Sequence, residues 1–121
     1  MQFKKRLKVK PVSVNEAWQV RGFRKFKSAK YNAFQKEVFL QLGTKKWPFK
    51  DKQYISAIVK VGFSNRQSDL DNALKPLFDT LSTHYGWNDN TIYRINAQKI
   101  MVPKKEEYID VKFKIYTEGM S

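Results

Sequence analysis

Asp69 and Asp71 stand two residues apart where a polar stretch, Ser64 to Ser68, gives way to an apolar helical repeat, and Lys75 follows Asp71 by four residues. Two carboxylates at one strand-to-helix junction repel each other unless a cation lies between them, and a hard divalent ion with oxygen ligands is the usual occupant. Asp89, in Trp87-Asn88-Asp89-Asn90, is a third candidate ligand. It lies past the far end of the same helix, so only tertiary folding brings it back to the helix start. Lys75 is one turn from Asp71 on the same face, within reach of a phosphate oxygen or an attacking water. Phosphodiester hydrolysis needs an activated water, neutralisation of charge on the phosphoryl oxygens and help for the departing alkoxide, and carboxylate-held Mg²⁺ with a lysine supplies all three. Each residue also has a plainer explanation. Acids before a helix cap it and oppose its dipole, Asp89 between two asparagines suits a turn, and Lys75 can simply pair with Asp79 in solvent.

The elements that must position these residues are legible in the periodicity. Tyr54 to Phe63 places Ile55, Ala57, Val59, Val61 and Phe63 on one face, as in a central strand. A helix follows from Asp71 or Asn72 to His84, with Leu74, Leu77, Phe78 and Leu81 as its apolar stripe and Gly86 as its stop. With Asn72 as N-cap, Pro76 falls at the fourth helical position, where its missing N–H costs little. An earlier helix starts at Ser28, carries Tyr31, Phe34, Val38 and Leu42 on one face, and stops at Gly43. Leu7 and Val9 alternate with cations in a first strand ending at Pro11. Tyr93, Ile95 and Ala97, and then Ile109, Val111, Phe113 and Ile115, mark two more strands, joined through Pro103 to Glu107 as a hairpin. Asn15 to Lys27 has no sustained period and is expected as a loop or ribbon. The class is α+β, a mixed β-sheet packed with two main helices, with strand order left open.

The chain has 121 residues, 41% of them hydrophobic, and a formal charge of +13. That length holds one core, hence a single domain over residues 1–121. The charge calls for a polyanionic partner. No stretch approaches the ~20 apolar residues of a membrane span. The basic segment Met1 to Lys10 is not followed by an apolar run, so it is not expected to be a signal peptide. Cysteine is absent and His84 is the single histidine, so any metal must be held by oxygen; a cytoplasmic protein fits both absences. Arg21, Arg24, Lys25 and Lys27, interleaved with Trp18, Phe23 and Phe26, can grip phosphates while a ring stacks on an opened base; equally, the rings can pack the core. Arg66, beside the acids, suits a phosphate contact or a plain turn. A non-catalytic nucleic-acid-binding domain and a structural protein of a ribonucleoprotein particle both explain the charge. Neither explains three acids kept near an anionic ligand.

The string Asp69-Leu70-Asp71-Asn72-Ala73-Leu74-Lys75 resembles the D-x-D-N-x-x-K signature of RusA-type Holliday junction resolvases. Pro11 to Asn15 is similar to that family's early proline-to-asparagine segment, and Asp89 falls where the family carries its third acid, usually a D-D pair. Here the pair reads Asn88-Asp89, so Asp89 aligns with the second acid. The resemblance implies a RusA-like fold and a homodimer that binds four-way junction DNA and makes paired symmetric nicks using Mg²⁺, with Mn²⁺ as a possible substitute. It also implies phage or prophage encoding. Carried over, Asp69, Asp71 and Asp89 become metal ligands, Lys75 the catalytic lysine, and Asn72 a motif residue that contacts DNA or caps the helix.

Overall fold

The structure is a computed structural model that describes residues 1–117, the side chain of Asp89 excepted. In chain order the elements are β1 (Gln2–Leu7), α1 (Val14–Ala17), β2 (Trp18–Arg21), β3 (Arg24–Lys27), α2 (Ala29–Leu42), β4 (Ile55–Phe63), α3 (Leu70–Tyr85), a 3₁₀ turn (Asp89–Thr91), β5 (Ile92–Met101) and β6 (Tyr108–Ile115). The inward alternation of β4 leaves Ile55, Ala57, Val59, Val61 and Phe63 buried, as a strand with neighbours on both edges requires. One neighbour is β6, antiparallel; the other is β5, parallel. The sheet order is β1-β6-β4-β5, and β2 pairs with β3 in a separate two-stranded ribbon. Parallel pairing of β4 and β5 needs a crossover, and α3 is that crossover. It packs with α2 on the inner sheet face, over a core that includes Phe3, Leu7, Tyr31, Val38, Leu77, Leu81 and Phe113.

The expected mixed α+β sheet with two main helices is the one observed. The Ser28 hydroxyl caps α2 by accepting from the Tyr31 N–H, and Gly43 and Gly86 end the two helices at positive φ. Four local expectations are corrected. β1 lies earlier than Leu7 to Pro11 because Phe3 as well as Leu7 faces inward against β6. The loop or ribbon expected over Asn15 to Lys27 is a ribbon from Trp18 onward, but its first residues belong to a short helix that the Ser13–Glu16 capping box nucleates. The N-cap of α3 is Asp69, not Asn72, so Pro76 lies deeper in the helix than the fourth position. Its carbonyl still accepts from the Thr80 hydroxyl at 2.7 Å. Finally, β5 and β6 form no hairpin: β4 lies between them. The connection crosses the end of β4 instead, where the Val102 N–H donates to the Phe63 carbonyl at 2.8 Å.

Two interaction sets hold α3 in place. Gln35 of α2 donates to the buried Thr80 hydroxyl at 3.1 Å and accepts from Lys27 at 2.8 Å, so ribbon, α2 and α3 share one satisfied polar chain. At the other end Trp47 meets Phe3, Tyr85, Trp87 and Phe113, with ring centroids 5.0–5.4 Å away when its neighbour Phe49 is included. This cluster fixes the exit of α3 and therefore the segment that carries Asp89. Trp47→Ala is expected to cost about 3 kcal/mol, the low end for a large aromatic because Trp47 is half-buried. Urea unfolding checks this, and Trp47→Phe should recover more than half of the loss.

Candidate active site

The loop from Ser64 to Ser68 carries the chain from the end of β4 to Asp69. Asp69 has the extended backbone of an N-cap (φ −91°, ψ 128°), yet its side chain makes no capping hydrogen bond. Its carboxylate instead accepts from the Asn72 side-chain amide at 3.3 Å. An aspartate at this position normally turns inward to cap; this one faces outward and is exposed, as is Asp71 in the first turn. Asn72 therefore orients Asp69 rather than capping the helix itself. Lys75 is exposed one turn later and pairs with Asp79 at 3.0 Å, so a carboxylate holds the ammonium on the Asp71 face of α3.

Lys99 of β5 fixes the approach to Asp69. Its ammonium donates to the carbonyls of Arg66 at 2.8 Å and Ser68 at 2.5 Å and lies 5.4 Å from the Phe63 ring centroid. Sequence reasoning missed this residue, although a signal existed: Lys99 continues the parity of Ile95 and Ala97, putting a cation where the apolar face of a strand should run. The same loop borders a cleft of ≈ 400 Å³ lined by Lys10, Arg66 and Lys104, with Glu16 and Glu107 on its walls. The Ser64 hydroxyl holds the Glu107 carboxyl below its ordinary pKa, and Lys30 does the same for Glu16. Both acids are thus already hydrogen-bonded, and the three cations outnumber them.

Of the residues singled out from sequence, Asp69, Asp71, Asn72 and Lys75 come together on α3, with Arg66 on the adjoining loop. The backbone of Asp89 lies at the other end of α3, where its neighbours Trp87 and Asn88 line one open hollow with Lys75 and Asp79. Asp89 begins the 3₁₀ turn beyond the C-terminal end of α3, a helix about 24 Å long at ~1.5 Å per residue. The strand register agrees: Ile92 lies opposite Ile55 at the start of β4, whereas Lys99, which grips the Asp69 loop, lies opposite Val61, roughly 20 Å along the strand. The metal-binding role expected of the Asp89 side chain lies outside the described residues. Among the described side chains, no group of three or more His, Cys, Asp or Glu residues converges on one point. Asp69 and Asp71 alone still offer what a hard divalent cation takes: exposed carboxylate oxygens not used for capping.

Arg21, Arg24, Lys25 and Lys27 all lie on the β2–β3 ribbon. Trp18 packs against Tyr31 at 5.7 Å, while Phe23, at the turn, is fully exposed and Phe26 is exposed to 36%. Lys25 covers the Trp18 ring at 4.7 Å, and Lys27 covers Tyr31 at 5.6 Å. The ribbon thus presents cations around one bare aromatic tip. His84 stacks on Phe39 at 5.4 Å near the helix end, away from the acids.

Residues 8–114 match the family model described as Endodeoxyribonuclease RusA. No curated protein matches the chain. Among the described residues no helix is long and apolar enough to cross a membrane.

Removing the Lys99 donors tests the loop clamp. Lys99→Met keeps the apolar stem but loses two charge-assisted hydrogen bonds, worth ~1.5–3 kcal/mol each. Backbone amides between Asn65 and Leu70 should then exchange hydrogen about a hundredfold faster or more. Unchanged exchange in this segment would show that the loop is held by other means.

Proposed function

The chain belongs to the RusA family of Holliday junction-resolving endodeoxyribonucleases and so is an enzyme that hydrolyses DNA phosphodiester bonds; from that premise we propose a Mg²⁺-dependent homodimer, each 121-residue chain one RusA-like domain, that nicks four-way junctions in pairs. Mn²⁺ should substitute. The observation that carries this proposal is the N-cap aspartate that does not cap: the Asp69 carboxylate, oriented by Asn72, faces outward beside Asp71. The substrate puts its work in the cytoplasm. Phage or prophage encoding rests on the resemblance alone.

When bound, a divalent ion would lower the pKa of a water and shield the phosphoryl oxygens. Asp69 and Asp71 would hold it, and Asn72 keeps Asp69 from swinging into the cap. Lys75, kept on that face by Asp79, donates to a non-bridging phosphate oxygen as negative charge builds there. Water adds to phosphorus, one ester P–O bond breaks, and the leaving oxygen takes up a proton. Arg66 grips the phosphate next to the cut. Arg21, Arg24, Lys25 and Lys27 hold the backbone around Phe23, which stacks on a base unpaired at the crossover.

The third carboxylate, Asp89, reaches the pair from a second copy. The edges of the sheet support this. β1 is short and carries Lys4, Lys5 and Arg6, the charge that discourages edge-to-edge pairing. β5 is long, has no strand of the described residues on its outer edge, and exposes Tyr93, Ile95 and Met101 to 54%, 48% and 44%. Two β5 edges pairing antiparallel about a two-fold axis would bring the start of one strand beside the end of the other. The start follows Asp89; the end carries Lys99 and the loop leading to Asp69. Each site would then draw Asp69, Asp71 and Lys75 from one copy and Asp89 from its partner.

A synthetic four-way junction tests the chemistry. Nicking should require Mg²⁺ or Mn²⁺. Asp71→Asn should abolish it while binding stays intact or tightens, and Lys75→Ala should slow single-turnover cleavage by more than about tenfold, the equivalent of ~1.4 kcal/mol. Binding without nicking under either metal would overturn the proposal.

Subunit mixing tests the composite site. Asp71→Asn and Asp89→Asn should each be inactive alone. Re-annealed together, about half of the dimers would be mixed, and each mixed dimer would hold one intact site. Single nicks should therefore return without paired cuts. No rescue in mixed dimers isolated through two different affinity tags, one on each variant, would place all three acids in one chain.

A further inference from the structure

The outer face of the four-stranded sheet, opposite α2 and α3, is almost entirely of one sign. Strand register assigns to it Lys4 and Arg6 of β1, Lys112 and Lys114 of β6, Lys60 of β4 and Arg94 of β5. Asp110 is its one acid among the described residues, and Arg6 neutralises it through bonds of 2.6 and 2.7 Å while stacking 4.3 Å from the Tyr108 ring. Solvation alone does not favour this pattern. Lys4 lies directly opposite Lys112 across the β1–β6 pair, and like charges so placed destabilise a sheet. Mixed charges would solubilise the face without that cost. An anion spanning both ammonium groups removes it.

We propose that this face is a second DNA contact that holds the phosphate backbone of a duplex arm, resting on the endonuclease reading above but on different residues. Three strand spacings of ~4.8 Å put β1 and β5 about 14 Å apart, close to the ~12 Å between the phosphate walls of a B-form major groove. Lys4 and Arg94 thus lie within side-chain reach of opposite walls, with Lys60 and Lys112 between. The uncharged part of the face, Ile58 of β4 with Asn96 and Gln98 of β5, offers no protruding recognition element, so backbone contact rather than base reading fits its flatness. Because α3 lies on the other side of the sheet, this face holds an arm and not the strand being cut. It should contribute to affinity and leave the chemical step alone.

The test neutralises Lys4, Lys60 and Lys112 together with glutamine and compares this variant with wild type and with a Lys36→Gln, Lys46→Gln, Lys52→Gln control of equal net charge, all three control residues being exposed. Affinity for junction and for plain duplex is measured across a salt series. The sheet-face variant should lose about two to three units of the log–log salt slope, at ~0.9 per phosphate contact, and more than tenfold in affinity. Single-turnover nicking at saturating protein should match wild type, and arginine at the same three positions should restore binding. An unchanged slope, or an equal loss in the control, overturns the proposal, the latter by reducing it to net charge. Wild-type protein that binds DNA but never nicks would sink the endonuclease reading instead, while the slope comparison on duplex would still be readable.

Discussion

The parallel pairing of β4 with β5 is the constraint from which the rest of the molecule follows. Parallel neighbours cannot be joined by a tight turn, so the chain must leave the end of β4, cross the sheet and return at the other end. α3 makes that crossing, and its length sets the separation between the acids at its start and the acid beyond its finish. The same pairing occupies one edge of β4 and gives the other to β6, which is why β6 cannot fold back on β5 and why β5, among the described residues, has a free outer edge. Lys99 then ties the return strand to the departing loop through the carbonyls of Arg66 and Ser68. The site and the free edge are two results of one topological choice.

A protein of charge +13 that keeps exposed aspartates at a helix N-terminus could use them to stabilise the helix, since the N-terminal dipole favours negative charge. Asp71 draws on that effect. Asp69 forgoes the stronger part of it, a capping hydrogen bond, in favour of Asn72. Ser28 and Ser13 show that caps form elsewhere in this chain, so their absence at Asp69 is local. Departures from local rules that the surrounding fold tolerates are what functional sites look like.

Much of this was legible in sequence because it is local. The Ser28 cap, the α2 stripe through Tyr31, Phe34, Val38 and Leu42, and the alternation of β4 depend on near neighbours and periods that side-chain types report directly. The helix bearing Asp71 and Lys75 was legible for the same reason, and the signature tied the two residues together. What was not legible is non-local. Pro103 to Glu107 has the composition of a turn whether or not the strands it joins are neighbours. Nothing in Trp87-Asn88-Asp89 says at which end of the sheet that segment lies. The Lys99 clamp depends on a loop more than thirty residues earlier in the chain; only its misplaced parity hinted at it.

The two edges of the sheet also bear on how such an enzyme chooses its substrate. Neither the ribbon cations nor the outer sheet face offers a helix to a groove, so base sequence has little means of deciding where the protein settles. In the proposed dimer the distance and angle between the two sites are set by a continuous sheet rather than by loops, and sheet geometry yields little. Paired cutting is then confined to DNA that presents two phosphates at that spacing, related by a two-fold axis. A four-way junction does so by its own symmetry and a plain duplex does not. In that dimer, selectivity for structure would arise from β5 pairing, while affinity would come from charges that bind any backbone. The two properties would then be carried by different parts of one small fold.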